Sequence, residues 1–491
     1  MQLLEDQIPA EVSRITETFT KAGFEAWIVG GCVRDLLLGR PPKDWDITTN
    51  ANPEEIQGLF ENTFYTNEFG TVGIVNDNAT NENVKIVEAT PYRLEGKYSD
   101  ARRPDNVIFS KHIEDDLKRR DFTINALAYN PGTKQLLDLY GGIKDTAAGM
   151  VRAVGEPEER FTEDALRIMR AIRISAELGF TIEAETKAAM QKCAGQLGKI
   201  SKERIRDEFV RILNSAKPMN SIILAQSIGI LGYIAPDLEK GIGVEQNQAH
   251  SFDVFEHNIR ALQHAADKNW SFEVRLAALF HDIGKPASRR WSDEKHDWTF
   301  HGHDVVGARI TKKALEALKF SRETIENAER MVRWHMFFSD PDKITLSAVR
   351  RIITNVGRDN IEKLIELRIC DRIGTGRPKE QPFRLRKYQA MIEEALRDPI
   401  SVGMLAIDGK RIMEVTGEKA GPRIGWLLHA LLEEVLEDPK LNTKEYLETK
   451  ILELVRLSDK DLRAIGDAGK EKKEELEEES IKEIQKKYFV N

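Results

Sequence analysis

The chain has 491 residues, 41% hydrophobic and 31% charged, the balance of a globular protein and not of a disordered one. That length exceeds what one hydrophobic core usually serves, so three or four domains are expected. Against 73 Lys and Arg stand 81 Asp and Glu, a net charge of −8, which excludes binding to nucleic acid through bulk positive charge and leaves local basic faces for that task.

Cys32, Cys193 and Cys370 are far apart and odd in number, which excludes a disulfide framework and suits a reducing compartment. The opening MQLLEDQIPAEV lacks the basic-then-apolar pattern of a signal peptide, and no apolar run is long enough to span a bilayer. The sequence therefore predicts a cytoplasmic protein without membrane contact.

In chain order, the apolar run Ala26–Val29 ends at Gly30 and Gly31, and a helix starts over Val33–Leu38. Asp44, Trp45, Asp46 and Ile47 alternate polar with apolar, as a half-buried strand does. Residues 84–90 (VKIVEAT) form another β-rich run and Thr123–Tyr129 a further apolar segment. Beyond Arg160 the pattern turns to long helical periods. The expected division is 1–150, 151–240, 241–398 and 399–491. The closing GKEKKEELEEESIKEIQKK is charge-rich at helical spacing, a solvated terminal helix.

Two glycines between a strand and a helix let the backbone approach a ligand, and the first free N–H groups of the helix attract phosphate. Such a pair is common in ordinary turns, so it gains meaning only from chemistry further along the chain. Asp44 and Asp46 are two apart, so on a strand both carboxylates project to one face. Like charges side by side need a cation between them, and all-oxygen ligation with room for a triphosphate suits Mg²⁺. Such a site can run a two-metal displacement at phosphorus. Glu88, on the next β-rich run, is the candidate third carboxylate.

With these residues in place, WIVGGCVRDLLLGRPPKDWDITT resembles the first motif of the class II tRNA nucleotidyltransferase and poly(A) polymerase family, within the DNA polymerase β superfamily. YSDARRPDNVIF and DLKRRDFTINALAYN resemble the next two motifs, with Arg102, Arg103, Arg119, Arg120 and Asp121 in matching places, and FTEDALRIMRAIRISAELGF resembles the fourth. The resemblance implies a multidomain α+β protein. Its polymerase β-like head, a mixed β-sheet with helices, precedes a mostly α-helical neck, an HD domain and a tail. The implied activity is addition of CCA to the 3′ end of tRNA from CTP and ATP.

Residues 163–173 read as a helix that places Asp164 and Arg167 on one face. Cytosine and adenine both present an amino donor beside a ring-nitrogen acceptor. An Asp can accept from the first while an Arg donates to the second, and uracil and guanine present the reverse order. The resemblance assigns this base-selecting role to the same two positions. It further implies nucleotide contacts from Gly30, Gly31, Arg34, Arg120, Arg170 and Arg173. The segment KISKERIRDEFVRIL is basic at helical spacing and belongs, by the same likeness, to the neck.

Eight of the ten histidines lie between His250 and His335. Neutral imidazoles with carboxylates make a first-row divalent metal site. The set resembles an HD-type phosphohydrolase domain, with His257, His281, Asp282 and Asp371 in ligand order and His303 and His335 serving a second metal. Either it holds a divalent ion (Mn, Ni, Fe or Mg) and hydrolyses phosphoesters, or it is a scaffold. The tail resembles that of bacterial members, with Ala420 standing where proline is expected. Two alternatives stay open: CC-adding, A-adding or poly(A) polymerase activity, and an HD phosphohydrolase with an RNA-binding head.

Overall fold

The computed structural model describes residues 7–66, 70–95, 107–247, 251–336, 344–397 and 402–490. The chain forms two compact units, one of Met1–His335 with Glu366–Pro378 and one of Met336–Ile365 with Lys379–Asn491.

The first unit opens with α1 (Ala10–Lys21), which buries Val12, Ile15, Thr16 and Phe19 at helical spacing along one face. There follow β1 (Ala26–Val29), α2 (Gly31–Leu37), β2 (Asp46–Thr49), α3 (Pro53–Leu59), β3 (Thr63–Tyr65), β4 (Val72–Val75), β5 (Ile86–Pro91), β6 (Arg93–Glu95), β7 (Val107–Phe109), α4 (Ile113–Lys118), β8 (Leu127–Asn130), β9 (Gln135–Asp138) and α5 (Gly142–Ala148). Seven strands make one mixed sheet in the order β3-β4-β5-β2-β1-β8-β9. All four residues of β1 are buried, as a central strand covered on both faces requires. β2 runs antiparallel to β1 and parallel to β5.

After the sheet come α6 (Pro157–Glu163), α7 (Leu166–Leu178), α8 (Ala184–Cys193) and α9 (Lys202–Leu213). The apolar faces of α7 (Ile168, Met169, Ile172) and α9 (Ile205, Phe209, Ile212) join one cluster that continues through Phe280 and Val332. Neck and histidine-rich helices therefore share a core. A short hairpin, Arg290–Ser292 with Asp297–Thr299, interrupts the helices there and was not foreseen from the sequence. The mixed-sheet head and helical continuation are the expected fold class.

The second unit is helical. Its last helix, Asp459–Lys487, has 29 residues and buries Leu462, Gly466, Gly469 and Ile484. Gly466 and Gly469 abut Trp426 and His429 of the helix Pro422–Glu437, where a Cβ would meet backbone. That helix begins at Pro422 despite Ala420, and its first turn is held by Arg423, which donates to the carbonyls of Val455 and Leu457 at 2.8 and 3.1 Å. Among the described residues, no helix is long and apolar enough to cross a membrane.

Candidate functional site

Strand register places the head carboxylates. β1 ends at Val29, opposite Asp46, and Asp46 is level with Glu88 on the parallel neighbour β5. Trp45 and Ile47 sink into the core, so the alternation turns Asp44 and Asp46 the other way. The strand itself starts at Asp46, and Asp44 sits exposed in the bend before it. The expected pair of strand carboxylates is thus one strand residue and one loop residue. Gly30 has φ +83, and a Cβ there would stand 3.0 Å from Arg120 Nη1 and 3.7 Å from Asp46 Oδ2. Only glycine lets the Arg120 guanidinium lie over this turn beside Asp46.

A cleft of about 540 Å³ brings together Gly30, Gly31, Arg34, Asp44, Asp46, Glu88, Arg120, Asp164, Arg167, Arg170 and Arg173. It is also lined by Arg93, Asn125, Arg204 and Arg211, which sequence reading did not single out. Arg204 and Arg211 were visible only as part of a basic helix. Arg102 and Arg103 lie outside the described residues.

Burial pushes the Asp46 carboxyl up to about 6 against the pull of Arg120, with Asp44 and Glu88 adding to the rise. Burial and Asp44 raise Glu88 as well. This mutual repulsion is what a divalent cation relieves, and a donor set made only of oxygen fits a hard ion. Among the described residues, the three head carboxylates do not form a set of ligand atoms within 4.8 Å of one another.

The rest of the lining is dominated by an arginine network. Arg34 donates to Asn125 Oδ1 at 2.7 Å, Asn125 donates to Asp121 at 3.1 Å, and Arg170 Nε donates to Asp121 at 2.8 Å. Burial alone would raise Asp121, but Arg170 and Asn125 hold it well below the usual carboxylate range. Buried Asp116 grips both Arg119 and Arg120, the latter at 3.0 Å. Arg173 is also committed, to Glu208 at 2.6 Å and Glu177 at 2.9 Å.

The helix expected over 163–173 is broken. α6 ends at Glu163, Asp164 is extended at φ −142 and ψ 102, and α7 starts at Leu166. Asp164 Oδ1 accepts from the Leu166 N–H at 3.0 Å, so the carboxylate caps the new helix. Arg167 donates to Glu163 at 2.7 Å and to the carbonyls of Arg119 and Arg160 at 3.0 and 3.2 Å. Asp164 and Arg167 share the cleft, though not as neighbours on one regular helix.

The second centre is buried among the histidines. His257, His281, Asp282 and Asp371 offer ligand atoms within 4.8 Å of one another, as do Asp282, His303 and His335. Asp282 belongs to both groups. His301 is exposed and takes no part. Nδ1 of His281, His303 and His335 faces the carbonyls of Ala278, Phe300 and Val332 at 2.8, 2.7 and 2.6 Å. A carbonyl only accepts, so each Nδ1 carries the proton and each Nε2 presents a lone pair inward. Yet His257 Nε2 and His281 Nε2 lie 2.9 Å apart, and His303 Nε2 and His335 Nε2 lie 3.2 Å apart. Two neutral rings placed as His303 and His335 are would face lone pair to lone pair, which a proton or a cation between them relieves. Burial would lower His281, but Asp282 and Asp371 push it up to about 10. Burial opposes ionisation of Asp282 too, and Lys285 (2.5 Å away) with His281 holds it well below the usual range. Gly284 makes the meeting possible: a Cβ there would collide with the His303 carbonyl and lie 2.5 Å from Gly307 N.

Known proteins place this architecture. Residues 26–152 match the Poly A polymerase head domain family, 179–242 the probable RNA and SrmB-binding site of polymerase A, and 254–374 the HD domain. The CCA-adding enzyme of Ligilactobacillus salivarius (strain UCC118) is 31% identical over 449 residues, 91% of this chain and 97% of its own. That of Leuconostoc mesenteroides is 47% identical over 238 residues, 48% of this chain and 58% of the relative, so this match spans little more than half the relative's length. The crystal structure of the Bacillus stearothermophilus CCA-adding enzyme in complex with CTP is similar with a TM-score of 0.58 at 27% identity, covering 91% of this chain and 97% of that one. Head sheet, cleft and helical continuation define a nucleotidyltransferase carrying an HD domain. The chain belongs to the family of CCA-adding enzymes.

Proposed function

We propose that the protein adds C, C and A in turn to the 3′ end of tRNA from CTP and ATP, with no nucleic-acid strand as guide. The observation that carries this is one cleft lined at once by Asp44, Asp46 and Glu88 and by Asp164 with Arg167 among arginines. In the reaction the tRNA 3′-hydroxyl oxygen bonds to the α-phosphorus, the bond to the β-phosphate oxygen breaks, pyrophosphate leaves and the hydroxyl proton passes to solvent. Asp44, Asp46 and Glu88 are the residues that hold Mg²⁺, which when bound lowers the pKa of the hydroxyl and neutralises the leaving charge. Arg34 and Arg120, beside the Gly30–Gly31 turn, bind the triphosphate, and Arg170 and Arg173 shape the wall behind the nucleotide.

Base choice lies with Asp164 and Arg167. Arg167 spends three N–H donors on protein oxygens and keeps two of its five for the ring nitrogen of the base. Asp164 accepts the exocyclic amino group. We assign residues 1–150 to the catalytic head, 151–240 to the selecting and RNA-binding neck, 241–398 to the HD domain and 399–491 to a tail that supports tRNA, in a cytoplasmic enzyme. The test supplies tRNA lacking its 3′ CCA with one labelled nucleotide at a time. Incorporation of C from CTP alone, and of A only after C, is expected. A stop after CC, addition of A alone to CC-ended tRNA, or a long A tail would each name another enzyme.

The sharing of Asp282 between two buried ligand groups favours a second reading, that the HD domain is a metal-dependent phosphohydrolase. His257, His281, Asp282, Asp371, His303 and His335 would hold divalent Mn, Ni, Fe or Mg. Bound metal would polarise a phosphoester and lower the pKa of attacking water. Metal content and phosphodiesterase turnover of the full chain, beside Asp282→Ala, test it. Absence of both makes the domain a scaffold.

A further inference from the structure

The histidine centre contains two acids, and each is already matched by a cation. Asp282 turns Oδ2 to His257 at 3.0 Å and to His281 at 3.3 Å, and Oδ1 to His303 and His335 at 3.3 and 3.5 Å. Lys285 Nζ stands 2.5 Å from that same Oδ2. This lysine is only 6% exposed, and its ammonium also donates to Gln246 Oε1 at 2.5 Å. Asp371 divides its oxygens likewise. Its Oδ1 faces His257 at 3.4 Å and His281 at 3.7 Å, while its Oδ2 accepts from Arg368, three residues earlier on the helix Ile361–Gly374.

The charges can be counted. With the imidazoles neutral, as ligation requires, Asp282 and Asp371 bring −2, Lys285 and Arg368 bring +2, and the sum is zero. Affinity for a cation grows with the negative charge of its ligands. Here a divalent ion enters a site whose charge is already cancelled, and it leaves that site at +2. More positive charge stands beside Asp371, where burial and the charges of Arg377 and Arg368 hold the Arg372 guanidinium below its ordinary value. A buried excess of one sign is costly unless a counter-charge shares the space. Arg368 keeps 27% of its side chain exposed, so an arriving anion can reach it.

We propose that the HD centre takes its metal together with a phosphate-type anion, and that Lys285 and Arg368 are the side chains that couple the two. This rests on the reading of the histidine cluster as a metal site. Alone, the ion binds weakly, held off by the two cations. A phosphate group carries about two negative charges near neutral pH, which restore the balance and give the Arg368 fork a partner of fitting shape. The effect is reciprocal: bound metal raises the affinity for the anion by the same factor.

Calorimetric titration of the full chain with Ni²⁺ tests this, in excess Mg²⁺ to occupy the head cleft. It is run without added anion, with inorganic phosphate and with phenyl phosphate, at matched ionic strength. Wild type, Lys285→Met, Arg368→Met and the double variant are compared, with Asp282→Ala as the blank. Either phosphate compound should tighten Ni²⁺ binding by wild type roughly tenfold or more. Without them, each single variant should bind Ni²⁺ about fivefold more tightly than wild type, since one repelling charge is gone. The gain from the anion should then shrink to about threefold or less, and further in the double variant. Tightening by phenyl phosphate names a phosphoester as the ligand, and tightening by inorganic phosphate alone names the free anion. An anion effect in wild type no larger than that of chloride overturns the inference. So does weaker Ni²⁺ binding in both single variants without anion, which would make Lys285 and Arg368 braces for the carboxylates and nothing more. A wild type that takes up no more Ni²⁺ than Asp282→Ala brings down the metal reading itself, and the inference with it. Should Lys285→Met fail to fold by circular dichroism, Arg368→Met decides by the same two comparisons.

Discussion

Two carboxylates of the cleft have different surroundings, and the roles proposed for them differ accordingly. Asp164 is an acceptor with three N–H partners already in place, which on the proposed reading leaves one site for a base. Asp164→Ala removes the acceptor proposed to meet the amino group and should cost about 1–3 kcal/mol of discrimination, or roughly 5- to 150-fold. Misincorporation of UMP and GMP into tRNA, measured beside CMP and AMP, checks it; unchanged selectivity would remove Asp164 from base choice. Asp46 is instead a charge waiting for a partner. Its carboxyl takes a proton at about 6 and not near 3.8, so protons compete with metal in the neutral range. An acid whose pKa rises on folding binds more protons folded than unfolded, so the metal-free head gains stability as pH falls through about 6. Metal-linked stability runs the other way, present above that pH and lost below it. Thermal unfolding with and without Mg²⁺ at pH about 7.5 and about 5.5, wild type against Asp46→Asn, reads this directly. The Mg²⁺-dependent rise in Tm should be present in wild type at the higher pH and absent in the variant. A rise equal in both proteins, or equal at both pH values, contradicts it.

Elements turn these residues into sites through junctions more than through regular structure. The DWD segment was legible because alternation of burial does not depend on where the strand begins: Trp45 and Ile47 pack inward whether or not Asp44 is hydrogen-bonded. The break at Asp164 was not legible. Residues 163–173 contain no Gly or Pro, so nothing local announces it. Its causes are the capping of Leu166 and the pairing with Arg204, and the second of these reaches across forty residues. The parallel pairing of β2 with β5, which sets Glu88 level with Asp46, is tertiary in the same sense. In the HD domain the junction is the turn after Asp282, where Gly284 packs on the backbone of His303 and Gly307. Gly284→Ala should push the helix His303–Ala317 away, destabilise the protein by about 2 kcal/mol or more, and part His303 from Asp282. Denaturant midpoint and bound transition metal, measured together, test this. A variant with wild-type values for both would show that the turn has room.

The whole molecule carries two centres with different donor chemistry. The head offers carboxylate oxygens in an open cleft, suited to a hard ion that arrives with a triphosphate. The HD domain offers imidazoles and carboxylates in a buried interior, a donor set suited to a first-row divalent ion. Motif order along the chain pointed to both groups of residues, and the structure brings each group together. It did not foretell that the helices of neck and HD domain share one apolar cluster from Phe161 to Val332, since contacts between distant helices leave no spacing to read. The central claim is that the head cleft is where nucleotides join tRNA, through the acids at the start of β2, beside the end of β1. Asp46→Ala in the full chain, assayed for labelled CMP transfer to tRNA lacking CCA, tests it most directly. With the fold intact by circular dichroism, we predict a loss of at least about a thousandfold in kcat, the scale of removing a metal-borne electrostatic contribution. Transfer within a few-fold of wild type would contradict the account.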